Sequence, residues 1–228
     1  LDQKLDIIES LGIDIVYLID FTERFSKTTA KQFLNNIILP HFNPSFIIVG
    51  YNHHFGYKRE GSPEFLKRYC NDHNIQIEIV PPISYENTII SSSNIRQLIK
   101  SGYVRRANFE LGSVFGVLGY VVRGSGRGKS LDFPTANVVP VEKNQLMPRK
   151  GVYFIRGRID GLPLYGMCNF GIRPTFNEEV LVMEVHFFHS ELTDLYGKEI
   201  RIEFLERIRD EKRFPSPRKL KEQLLIDK

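Results

Sequence analysis

Cysteine is scarce in this 228-residue sequence: there are two, Cys70 and Cys168, far apart and in no CxxC pair. They fit reduced thiols in a cytoplasmic protein, although two cysteines can in principle bridge. No apolar run approaches the roughly 20 residues of a membrane span, and no basic-then-apolar signal segment opens the chain. The expected location is the cytoplasm, with no membrane partner. Internal repeats and low-complexity segments are absent too. Lysine and arginine number 31 against 27 acidic residues, a net charge of +4. That excess suits polyanionic substrates such as nucleotides. It is scattered, with no basic tract interleaved by aromatics, so nucleic acid is the weaker explanation and is not expected as a partner. Small molecules are the expected partners, and weak self-association is left open. What remains is an ordinary globular composition, 42% hydrophobic and 25% charged, long enough for one large domain or two small ones.

The first half alternates helix and strand. Leu1, Leu5, Ile8 and Leu11 recur at helical spacing, and Gly12 stands where a glycine would end the helix. An apolar strand is expected over 13–19, a second helix over 28–39 stopped by Pro40, and a buried parallel strand over 45–50. Ser62-Pro63-Glu64 starts a third helix with a cap, an early proline and a first-turn acid, and 75–80 reads as a third strand. This pattern predicts an α/β unit with a parallel sheet. Beyond the second half's start, near 112, short alternating runs take over at 114–122, 152–159, 164–170, 180–188 and 200–205. Turn signals such as Asp160-Gly161 and Tyr196-Gly197 separate them. That texture predicts a small antiparallel barrel. Ser216-Pro217 caps a closing helix carrying Leu220, Leu224 and Leu225. The boundary at 111/112 has no long linker.

In sheets of the first kind, ligands sit beyond the carboxyl ends of strands. One such end is Gly50-Tyr51-Asn52-His53-His54-Phe55-Gly56. The adjacent histidines face opposite ways in an extended segment, which argues against a metal site. The other is Ser91-Ser92-Ser93-Asn94-Ile95-Arg96, where serines cap a helix start and Arg96 adds charge, an arrangement able to bind phosphates. Serine caps are also commonly structural.

The densest chemistry lies in 124–137, Gly-Ser-Gly-Arg-Gly-Lys-Ser-Leu-Asp-Phe-Pro-Thr-Ala-Asn. Gly124, Gly126 and Gly128 let the backbone approach a ligand, closely spaced amides form an anion-binding concavity, and Arg127 and Lys129 add fixed cations. A solvated hairpin loop is the plain alternative. The stretch is no Walker A loop, because that pattern needs glycine at 123 and the chain has Arg123. Pro134 biases its neighbours toward extended geometry, so Thr135 and Asn137 share a face. Two neutral oxygens there suit Mg²⁺ bound to nucleotide phosphates.

Gly-x-Gly-Arg-Gly followed by Phe-Pro-Thr-Ala-Asn resembles the flavokinase signature, and the whole chain resembles the bacterial bifunctional riboflavin kinase/FAD synthetase family. The resemblance implies part of a Rossmann-like FMN adenylyltransferase domain over 1–111. A riboflavin kinase domain over 112–228 would follow, a Greek-key β-barrel with a C-terminal helix. It implies Mg²⁺ as cofactor, ATP as co-substrate, and riboflavin, FMN and FAD as substrate and products. Glu184, in Val182-Met183-Glu184-Val185-His186, matches the family's catalytic glutamate, which activates the ribityl 5′-hydroxyl. Spacing alone would favour a Glu/His pair on the solvent side of an amphipathic strand. Asn169 and Arg173, in Asn169-Phe170-Gly171-Ile172-Arg173-Pro174-Thr175-Phe176, match a segment that shapes the active site. Asp194-Leu195-Tyr196-Gly197 matches a turn, and Arg209, in Arg209-Asp210-Glu211-Lys212-Arg213-Phe214, would reach the flavin or its new phosphate.

In the adenylyltransferase half, Ser92, Ser93 and Arg96 match a Ser-Ser-Thr-x-Ile-Arg motif, with Ser93 keeping a hydroxyl in the threonine's place. Asn52 stands where the family's Gly-x-Asp-x-x-Phe-Gly element has an acid, which removes a charge. The family's His-x-Gly-His motif does not occur, and the chain as written is expected not to make FAD by itself. Two rival readings stay open: a flavin- or nucleotide-binding module without catalysis, and an RNA-binding barrel.

Overall fold

The computed structural model describes residues 1–122, 133–142, 144–159, 162–174, 179–188 and 196–228, except the side chains of 159, 172–174 and 179–181. The chain forms two compact units, Leu1–Ile89 and Ile90–Lys228.

In the first unit, α1 (Asp2–Ser10) ends at Leu11, and Gly12 takes a φ of +78° as the sequence pattern predicts. Residues 13–19 do not form the expected strand. No ladder partner lies beside them among the described residues, and Ile15 and Leu18 stand 75% and 58% exposed. After α2 (Glu23–Ser26), Thr29 begins α3 (Ala30–Phe33) with a reciprocal capping box to Gln32. Pro40 does not stop this helix. A π-helical turn over Leu34–Ile38 leads into α4 (Leu39–Phe42), which carries Pro40 in its first turn, where its missing N–H is least felt. The chain stops only at Asn43, in the left-handed region.

Strand β1 (Phe46–Gly50), helix α5 (Pro63–Asp72) and strand β2 (Gln76–Val80) follow, and β1 and β2 pair in parallel. Both strands alternate exposed and half-buried residues, so β1 is covered on one face, not on both. Its inward side packs with Leu34, Leu66, Tyr69 and Cys70. A short hairpin of β3 (Ser84–Tyr85) and β4 (Thr88–Ile89) closes the unit.

The second unit starts with α6 (Ser92–Ser101) and α7 (Val104–Leu111), so its edge lies ahead of the 111/112 boundary read from sequence. The cause is packing. Ile95, Ile99 and Ala107 bury against Phe115 and Leu146, and Asn108 donates to the Phe204 carbonyl and accepts from the Phe115 amide. The strands are β5 (Gly116–Val122), β6 (Ala136–Pro140), β7 (Gly151–Ile159), β8 (Leu162–Pro174), β9 (Glu179–Phe187) and β10 (Glu199–Arg209). They close into an antiparallel barrel in the order β10-β5-β6-β9-β8-β7. Strands β7, β8 and β9 are hairpin neighbours and β10 returns beside β7, the Greek-key order. Strand β6 is the member that alternation in the sequence did not pick out. Residues Val117, Val138, Tyr153, Ile155, Cys168, Phe170, Met183, Val185, Ile202 and Phe204 fill the interior. Helix α8 (Pro217–Asp227), capped by Ser216, ends the chain.

Candidate active site

Three strands bring the predicted polar residues into one row. Asn137 on β6 pairs directly with Glu184 on β9, and Glu184 pairs directly with Asn169 on β8. Their neighbours Ala136, Val138, Met183, Val185, Cys168 and Phe170 all fill the core. Side chains alternate along a strand, so the row Asn137–Glu184–Asn169 lies on the outer wall, with neighbouring Cβ atoms about 5 Å apart. It continues through Val152 on β7 to Arg209 on β10.

Asn137 is only 4% exposed although it belongs to the outer wall, and its Oδ1 has no hydrogen-bond partner among the described residues. An orphaned buried amide oxygen is unfavourable by about 1–3 kcal/mol, and a hard cation or a ligand donor would satisfy it. Thr135, half-buried, stands two residues earlier, just ahead of β6. Its hydroxyl and the Asn137 oxygen are the donor chemistry that Mg²⁺ takes. The adjoining wall is aromatic. His186 Nδ1 lies 2.9 Å from the Pro134 carbonyl; a carbonyl only accepts, so Nδ1 carries the proton. Its ring stands 4.9 Å from Phe133 and 6.0 Å from Phe188, which stacks in turn near Phe154.

The remaining predicted residues are placed less uniformly. Gly124, Gly126, Arg127, Gly128 and Lys129 lie outside the described residues, as does the side chain of Arg173. Arg209 is tied to the closing helix: Nε and Nη2 donate to the Asp227 carboxylate at 2.6–3.0 Å, and Nη1 donates to the Asp210 carbonyl. No local signal in sequence marks Asp227 as its partner. A second feature missed in sequence is Gly171. A Cβ there would fall 2.7 Å from Glu211 Cδ, so glycine leaves room for the Glu211 carboxylate to lie against β8 beside the row. In the second unit, Ser92, Ser93 and Arg96 form the exposed first turns of α6, and the Ser91 hydroxyl caps the Asn94 amide. Asn52 lies exposed in the turn after β1, in the first unit. No helix among the described residues is long and apolar enough to cross a membrane.

A closed six-stranded barrel bearing this row is the scaffold of a riboflavin kinase: residues 111–228 match the flavokinase family, described as riboflavin kinase. Residues 1–94 match the FAD synthetase family. Relatives described as bifunctional riboflavin kinase/FMN adenylyltransferase cover the chain almost end to end. That of Buchnera aphidicola from Acyrthosiphon pisum is 33% identical over 99% of this chain and 72% of its own length. Those of Bacillus subtilis and Escherichia coli K12 are 32% and 34% identical over 100% of this chain and 72% of theirs. A crystal structure from Streptococcus pneumoniae, described as a macrolide-efflux protein, matches with a TM-score of 0.91 at 33% identity. It covers 99% of this chain and 72% of that one. The chain belongs to the bifunctional riboflavin kinase/FMN adenylyltransferase family.

Proposed function

We propose that this chain transfers the γ-phosphoryl group of ATP to the ribityl 5′-hydroxyl of riboflavin, giving FMN and ADP. An FMN adenylyltransferase half, which joins FMN and ATP into FAD and diphosphate, would accompany it. The observation that carries the reading is the cross-strand row Asn137–Glu184–Asn169, in which the buried Asn137 amide oxygen has no hydrogen-bond partner among the described residues. Glu184 accepts the 5′-hydroxyl proton as the oxygen bonds to the γ-phosphorus and the bond to the β–γ bridging oxygen breaks. Asn169 orients that hydroxyl from the next strand. Thr135 and Asn137 would hold Mg²⁺, which when bound supplies positive charge against the nucleotide phosphates.

The glycine loop, with Gly124, Gly126, Gly128, Arg127 and Lys129, is the proposed phosphate cradle. Arg173 and Arg209 are assigned to the flavin side, Arg209 acting after it releases Asp227 or through the loop it anchors. In the other half, Ser92, Ser93, Arg96 and Asn52 are the proposed nucleotide contacts. The riboflavin kinase match starting at 111 supports a domain division at 111/112, whereas the compact units divide at 89/90 because α6 and α7 pack within the second unit. A cytoplasmic location suits an ATP-dependent enzyme whose two cysteines are free and buried.

Incubation of the chain with riboflavin, ATP and Mg²⁺, followed by chromatographic separation of flavins, tests the proposal. FMN is the expected product, and FAD beside it would show the second half active in the same chain. Bound riboflavin with neither product would favour a binding module without catalysis.

A further inference from the structure

The outer wall carries a second polar cluster, on β7 and β10, away from the Glu184 row. Glu203, buried with a side chain 8% exposed, accepts from Arg156 Nε at 2.5 Å and Arg158 Nε at 3.2 Å, and Arg201 Nε lies 3.6 Å away. Direct cross-strand pairing sets Arg156 opposite Glu203 and Arg158 opposite Arg201. Three guanidiniums thus share one carboxylate, leaving an excess of two positive charges. Like charges directly opposite on a sheet repel, and one carboxylate cannot neutralise the pair. All three arginines turn Nε toward Glu203. Among the described residues, the terminal nitrogens of Arg158 and Arg201 have no hydrogen-bond partner. Gly116, opposite Glu203 on β5, leaves room for Arg201: a Cβ there would lie 3.0 Å from its Nε.

We propose that Arg156, Arg158 and Arg201, oriented by Glu203, form a binding site for a phosphate-type polyanion, either inorganic diphosphate or the phosphates of a nucleotide. Guanidinium forks pair with phosphate oxygens through two parallel hydrogen bonds, and the side chains of Arg158 and Arg201 are 43% and 29% exposed. Glu203 would position them by holding their inner nitrogens. Arg156 lies four residues along β7 from Val152, about 13 Å at ~3.3 Å per residue. This site is therefore separate from the proposed kinase row and stands or falls independently of it.

The test is a titration of the ¹⁵N-labelled full chain with sodium diphosphate, free of divalent metal and at constant ionic strength. Saturable shifts are expected at the Gly116, Leu118 and Arg201 amides. Arg158→Gln and Arg201→Gln, both partly exposed changes, should each weaken that response about tenfold, while the remaining spectrum reports an intact barrel. A parallel titration with ADP separates the sources: saturation by ADP assigns a nucleotide, saturation by diphosphate alone the inorganic ion. Shifts confined to residues 124–137, shifts unchanged in Arg158→Gln, or equal shifts with sodium chloride would each overturn the site.

Discussion

Glu184 and Asn137 stand opposite each other on adjacent strands, and their substitution should separate chemistry from stability. Glu184→Gln keeps the shape of the row and removes the proton acceptor. Turnover of riboflavin to FMN should fall by roughly 10²-fold or more while nucleotide binding persists; near-normal turnover would mean another group takes the proton. Asn137→Leu acts in the opposite sense on the resting protein. It removes a buried oxygen without a hydrogen-bond partner among the described residues, so thermal stability should rise by about 1 kcal/mol or more while Mg-ATP-dependent FMN formation collapses. A lowered melting temperature would show that the oxygen is already satisfied in the protein without ligand. Thr135 and Asn137 were legible in the sequence as oxygen-bearing residues on one strand face, and Glu184 only through the family resemblance. Their adjacency was not, because Asn137 and Glu184 are 47 positions apart (184 − 137) and only the barrel register joins them.

At the level of elements, α8 is held to the barrel by Arg209 and Asp227, whose side chains are 14% and 2% exposed. Removing one partner leaves a buried charge uncompensated. Arg209→Met should destabilise the second unit by about 3–5 kcal/mol, and a further Asp227→Leu should recover much of the loss. Denaturant melts of the two variants check this; equal stability of both would show that Asp227 is not left as a costly stranded charge when Arg209 is removed. Local signals predicted α8 well, since Ser216 and Pro217 mark its start. They predicted a strand over 13–19 that does not form. An apolar run has strand propensity, yet a strand exists only where a second backbone offers ladder partners. Pro40 misled for a related reason, since a π turn ahead of it re-registers the helix.

Across the whole molecule, burial sets the response to alkali. Desolvation raises the thiols of Cys70 and Cys168 above the ordinary value of 9.0 and the phenols of Tyr69 and Tyr153 above 10.0. The unfolded chain loses these protons at the ordinary values and the folded chain holds them longer. Stability is therefore full below about pH 9 and declines as pH rises through the ordinary thiol and phenol range toward the raised values. The melting temperature should fall as pH rises from about 9 to about 10.5. Cys70→Ser would keep the decline due to Cys168, and a flat profile would show that neither thiol resists ionisation.

By itself, the sequence determined the α/β and barrel classes, the closing helix and the residue types of the site. Those features are written in short-range periodicity, caps and a contiguous motif. Tertiary structure decided which residues meet. Barrel closure aligned Asn137, Glu184 and Asn169, joined Arg209 to Asp227 and gathered three arginines on Glu203. It also drew α6 and α7 into the second unit. Each of these joins strands or helices distant in the chain, and long-range register follows from how a whole core packs, which no local pattern records.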